Sequence, residues 1–156
     1  MRKNVFRAVA VSTLMYGAAA SAQESQGCEL RPRADCAGAD LSSQVLTDVD
    51  LAGADLSNAN LAGADLRGAD LYRVNLSGAD LSNARLSDTN LNRSDLSGAD
   101  LSGADLSAAQ MRAADLTGAN LSGADLTFAE MTYSNLANAI WTDGRTCAKE
   151  SVGECR

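Results

Sequence analysis

The chain has 156 residues, a formal charge of −7, 4 % aromatic residues, one proline and no histidine. That length supports one domain. Without histidine the commonest general base and metal ligand are missing, and the acidic balance disfavours binding to nucleic acid.

The first residues have the pattern of an export signal. Arg2, Lys3 and Arg7 make a positive start, Ala8 to Ala20 is mostly apolar, and Ala20-Ser21-Ala22 is a small-residue cleavage site before Gln23. The run is too short to span a bilayer. Cleavage would leave 20 acidic and 10 basic residues, a formal −10, with Lys149 the one lysine. A bacterial periplasmic or secreted location is expected, with no stable membrane insertion after cleavage.

From Ala34 the chain ticks every five residues. Leucine or methionine stands at Leu56, Leu61, Leu66, Leu71, Leu76, Leu81, Leu86, Leu91, Leu96, Leu101, Leu106, Met111, Leu116, Leu121, Leu126, Met131 and Leu136, preceded by Leu41, Leu46 and Leu51. Cys36 comes before this series and Trp141 after it. Two residues before each centre is a small or β-branched residue, Gln44 excepted; one before is usually Asp or Asn. Ser or Thr and then Gly often follow. Twenty-one such units run from Ala34 to Asn138 without an insertion.

A period of five suits neither ordinary element. On an α-helix the leucines would spiral over the whole surface, and on a flat strand they would alternate between faces. A chain that bends by a constant angle every five residues points them all at one axis. Its stacked coils can then pair their backbones at roughly 4.8 Å. Each buried leucine contributes about 2 kcal/mol, and glycine in the fifth place suits a turn with positive φ.

The repeated A-[DN]-L-x-x pattern resembles the pentapeptide-repeat family. The resemblance implies an all-β fold, a right-handed quadrilateral parallel β-helix (a solenoid) of about five coils. The centre and the residue two before it would face inward. The expected organisation is a signal peptide at 1–22, an N-terminal cap segment at 23–33, the β-helix at 34–141 and a C-terminal cap at 142–156.

Solenoid ends expose core and unpaired backbone, so they need covers. Cys28 and Cys36 lie eight apart at one end, Cys147 and Cys155 eight apart at the other. Of the three possible connectivities, the one with two local bridges is expected, because a rod keeps its ends apart. No C-x-x-C pair supports a metal site. Trp141 is expected to lie on Leu121 and close the last coil.

Residues twenty apart should stack, so the outward positions form columns. The sides centred on Leu56 and Leu61 carry mostly Ser, Ala, Gly, Asp and Asn. The other two gather Arg67, Tyr72, Arg73, Arg93, Arg112 and Tyr133, together with Arg85 and Phe128. Arginine and tyrosine are favoured at binding hot spots, which makes this a candidate partner surface. The competing expectation is that the arginines relieve acidic columns such as Asp50 and Asp70. Adjacent rungs such as Asp80 and Asp100 could attract calcium, but the clustered loop of an EF-hand is missing, and solvated acid is the simpler expectation.

The functional expectation is therefore an exported, non-catalytic structural or binding protein. It would be a rigid acidic rod, monomeric or paired end to end, meeting an unknown protein or cell-envelope partner. No cofactor and no catalytic or metal residue is expected, since no base, nucleophile and orienting group depart together from the repeat. The alternative is a DNA mimic that binds DNA gyrase and protects it from inhibitors, as some members of that family do. A flat ice- or mineral-binding face is disfavoured, because outward serine far outnumbers threonine.

Overall fold

A computed structural model describes residues 28–156. The expected signal segment and its cleavage site lie outside the described residues.

The fold follows from where the five N–H groups of each unit go, since buried backbone donors must find partners. In the unit around Leu56, the Leu56 N–H donates to Asn75 O in the next coil at 2.7 Å, and the Asn58 N–H to Ser77 O at 2.9 Å. The Asp55 N–H reaches back to Ala34 O at 2.8 Å. The Ala59 N–H closes a tight turn on Leu56 O at 3.0 Å. The fifth donor, Ser57 N–H, is taken by the carboxylate Oδ1 of Asp55 at 2.9 Å. The Asp or Asn before each centre is thus an acceptor inside its own unit, an Asx turn. That explains its recurrence better than solvation alone.

Repetition of this scheme gives a right-handed, four-sided parallel β-helix. Parallel bridges link the residue before each centre to the one twenty later, from Asp35 with Asp55 to Asn120 with Ile140. The four sides are named here by Leu56, Leu61, Leu66 and Leu71. Between turns only one residue per side bridges, so among the described residues the sides are isolated bridges rather than extended strands.

The turn explains the outer sequence. The residue two after each centre has positive φ and its neighbours do not, the sign pattern of a type II turn. Glycine occupies some of these positions, such as Gly68 and Gly118, but Asn58, Arg73, Arg93, Ala113 and Tyr133 adopt the same geometry. Glycine is therefore preferred and not required, because inter-coil bonds outweigh a left-handed cost of roughly 1 kcal/mol.

The core is a column of leucines. Leu56, Leu61, Leu66, Leu71, Leu76, Leu81, Leu86, Leu91, Leu96, Leu101, Leu106, Met111, Leu116, Leu121 and Leu136 are fully buried. Met131 is nearly so and Leu126 is half-buried. Alanines two before the centres share the interior. Where hydroxyls replace them, Thr89, Ser94 and Ser134 are buried and donate to the carbonyls of Leu86, Leu91 and Met131 at 2.6–2.7 Å. Each buried hydroxyl is thereby satisfied.

At the first coil the turn geometry already begins at Arg31, whose carbonyl accepts from the Ala34 N–H at 3.1 Å. Cys28 and Cys36 are joined by a disulfide, as are Cys147 and Cys155. At the other end the chain reverses after Trp141. Asn135 pairs antiparallel with Val152, and Ile140 with Thr146. Trp141 is half-buried against the core, one coil beyond Leu121.

Candidate functional site

The off-consensus residues sort into two groups once their neighbours are known. On the Leu66 side, Asp65 is the hub. Arg67 grips it with Nε and Nη2, both at 2.7 Å, and Arg85 reaches it at 3.2 Å from one coil further on. The Arg67 guanidinium holds the Asp65 carboxyl below the usual range; partial burial opposes this, and the Arg67 N–H and the charges of Arg67 and Arg85 reinforce it. These two arginines do relieve an acid, but it is Asp65 and not Asp50 or Asp70. Asp70 is instead hydrogen-bonded to the Tyr72 N–H and to Asn90 Nδ2. An asparagine twenty residues after an aspartate can donate to it where a second aspartate would repel it.

On the Leu71 side the arginines are left over. Arg73, Arg93 and Arg112 have no carboxylate within ion-pairing distance among the described residues. Arg73 packs over the Tyr72 ring, 5.2 Å from its centroid. The acidic column beside them is interrupted: it runs Asp50, Asp70, Asn90, Gln110, Glu130. Between Tyr72 and Tyr133 lies a groove of about 450 Å³, lined also by Asn92, Arg93, Arg112 and Ala113. Two cations line it, and no carboxylate. Of the six residues expected to form one surface, the structure brings Tyr72, Arg93, Arg112 and Tyr133 together here. Arg73 stands at the edge on Tyr72, and Arg67 is engaged elsewhere. Asn92 and the neutral Asn90 and Gln110 complete the site. Their signal in the sequence was their departure from A-D-L-S-G at adjacent coils.

The last coil carries a second hollow, about 1070 Å³, beneath Trp141 and beside Leu126, Ala129, Met131 and Val152. The tail's antiparallel bridges lie on the Leu56 and Leu61 sides, which leaves Leu126 half-exposed. Tyr133 and Val152, which also line it, are largely exposed, as is Phe128 on the Leu66 side. Among the described residues no group of three His, Cys, Asp or Glu side chains could hold a metal ion, and no helix is long and apolar enough to cross a membrane.

Comparison with known proteins bears on the repeat itself. A family model described as pentapeptide repeats matches residues 34–71, 69–107 and 109–140. The chain is similar to the solved structure of a pentapeptide repeat protein, Rfr23, from the cyanobacterium Cyanothece 51142. That match has 30 % identity and a TM-score of 0.65, covering 69 % of this chain and 90 % of that one. A pentapeptide repeat protein from Nostoc PCC 7120 is 45 % identical, with a TM-score of 0.51, over 51 % of this chain and 66 % of its own. QnrB1, a plasmid-mediated fluoroquinolone resistance protein, is 26 % identical over 67 % of this chain and 54 % of its own, with a TM-score of 0.36. None of the curated proteins compared with the chain matches it. With the repeat model spanning most of the chain and the backbone scheme that the repeat requires in place, the chain belongs to the pentapeptide-repeat family.

Proposed function

We propose that this protein is an exported, non-catalytic binding rod of about five coils, closed by disulfide-tied caps, that meets a protein or cell-envelope partner through its Leu71 side. The observation that carries this reading is the division among the arginines. Arg67 and Arg85 are consumed by Asp65, whereas among the described residues Arg73, Arg93 and Arg112 have no carboxylate partner, and the last two line a groove. Exposed guanidinium groups next to tyrosine are the composition of an interface centre. The leader-like first 22 residues and the two paired-cysteine ends support export, because disulfides persist in oxidising compartments.

A photo-crosslinking residue tests it, placed at Ala113 in the groove or at Asn83 on the opposite, Leu61 side. An adduct in the native cell envelope from the Ala113 position alone supports the reading. Equal adducts from both positions, or none, sink it. The second reading, a gyrase-binding DNA mimic, draws on the formal −7 charge and the rod shape. It requires purified protein to alter gyrase supercoiling, and unaffected supercoiling at excess protein disposes of it.

A further inference from the structure

Resting on the Leu71 side being a binding surface, we propose that the groove between Tyr72 and Tyr133 takes an acidic, extended segment of a protein, with carboxylates at alternate positions gripped by Arg93 and Arg112.

The charge of the groove is opposite to that of the molecule. The chain is formally −7, yet the lining holds Arg93 and Arg112 with Tyr72, Asn92, Ala113 and Tyr133 and no acid. The column beside it loses its charge at the same height, at Asn90 and Gln110. Neither guanidinium has a hydrogen-bond or ion-pair partner among the described residues, so neither must break a contact to receive a ligand. A guanidinium presents a planar fork that matches a carboxylate.

The dimensions choose the ligand. Tyr72 and Tyr133 are three coils apart, roughly 14 Å at the spacing of paired strands. About four extended residues span that length. Alternate side chains of such a segment share one face about 7 Å apart. Arg93 and Arg112 rise from successive coils in neighbouring columns, roughly 5 Å apart along the axis, and rotation of their long side chains can make up the difference. The tyrosine rings present an apolar body and a polar tip to the ends of the segment. A long polyanion fits less well, because beyond the groove it meets Glu130 and the Asp95 and Asp115 column of the next side.

The test is fluorescence anisotropy of a labelled synthetic peptide with alternating glutamate and serine, titrated with the full chain. The expected result is saturable binding that weakens as salt is added. R93Q/R112Q should lose about tenfold or more, as should a peptide with glutamine in place of glutamate. R67Q/R85Q should bind as the parent does, and thermal melts should show R93Q/R112Q folded. Absence of binding, full binding by R93Q/R112Q, or equal affinity for the glutamine peptide would overturn the proposal. Inorganic polyphosphate bound through the same two arginines, with no glutamate-peptide binding, also overturns it while leaving the binding side intact. Loss of the Ala113 adduct, in contrast, removes the side itself.

Discussion

The backbone N–H of Arg112 donates to the Oδ1 of Asn92, 2.9 Å away and one coil earlier. In most units that N–H goes to the Asp or Asn two residues before it, but Arg112 is preceded at that distance by Gln110, whose chain is one carbon longer. Asn92 supplies the missing acceptor. It also donates to Asn90 Oδ1 at 2.8 Å and to Gln110 Oε1 at 3.3 Å, so one surface side chain ties three outer positions together. Asn92→Ala is therefore expected to cost about 1 kcal/mol, more than an ordinary surface change. Gln110→Asp should restore the local acceptor and shrink that cost. A double-mutant cycle by urea unfolding measures the coupling. Equal losses in both backgrounds would show that Asn92 does not stand in for the missing residue.

The acid response follows from the same turns. The Ser42 hydroxyl, then its N–H, holds the Asp40 carboxyl below the ordinary range. The Ser57 N–H, then its hydroxyl, does so for Asp55, the Thr127 hydroxyl and N–H for Asp125, and Arg67 for Asp65. Carboxyls that are more acidic in the folded state contribute stability that is complete above the unfolded value of about 3.9, and lose it as pH falls through the lower folded value. The midpoint of thermal unfolding should stay flat from about pH 7 to pH 5 and fall below about pH 4. A midpoint that rises on acidification below about pH 4 would contradict the turn scheme.

The uncovered part of the last coil sets a gradient in the core. Leu101 is fully buried, while Leu126 is half-exposed next to the terminal hollow. Leu101→Ala should cost about 3 kcal/mol, and Leu126→Ala about half of that. Calorimetric midpoints check the order. Equal losses would mean that the tail shields the last coil as fully as a neighbouring coil does.

The disulfide at the far end holds the reversed tail in place. The Cys147 N–H donates to Ala139 O at 2.8 Å, and the Leu136 N–H to Ser151 O at 2.9 Å, so the tail pairs with the last coil. Replacing Cys147 and Cys155 by serine frees a short loop that the bridge closes, a loss of roughly 2.5 kcal/mol in the unfolded-chain account. In a solenoid that loss is local. Amide exchange should accelerate at Leu136 and Cys147 and stay slow at Leu101. Uniform acceleration would show that the cap and coils open as one unit.

The period of five made the inward column legible, because a leucine at every fifth place admits one common axis. The Asx role of Asp55 and its counterparts was not legible, since a carboxylate in a polar pattern reads equally as solvated charge until its distance to the next N–H is known. The Arg85–Asp65 contact could have been read from their separation of twenty residues. The Arg67–Asp65 contact depends on two outward positions flanking one inward leucine, and so on side-chain geometry. A cap after Trp141 was legible from the end of the period and the paired cysteines, but not the antiparallel pairing of Ile140 and Asn135 with the tail, which follows no period.

Where the protein resides and the state of its four cysteines separate an exported rod from a gyrase ligand. An intact, non-reduced mass of the native protein from fractionated cells decides both. The expected species comes from the periplasm or the medium, begins at Gln23 and lacks four hydrogens relative to its thiol form, two for each bridge. A cytoplasmic species that retains residues 1–22 and carries free thiols would contradict export and make the gyrase reading the stronger one.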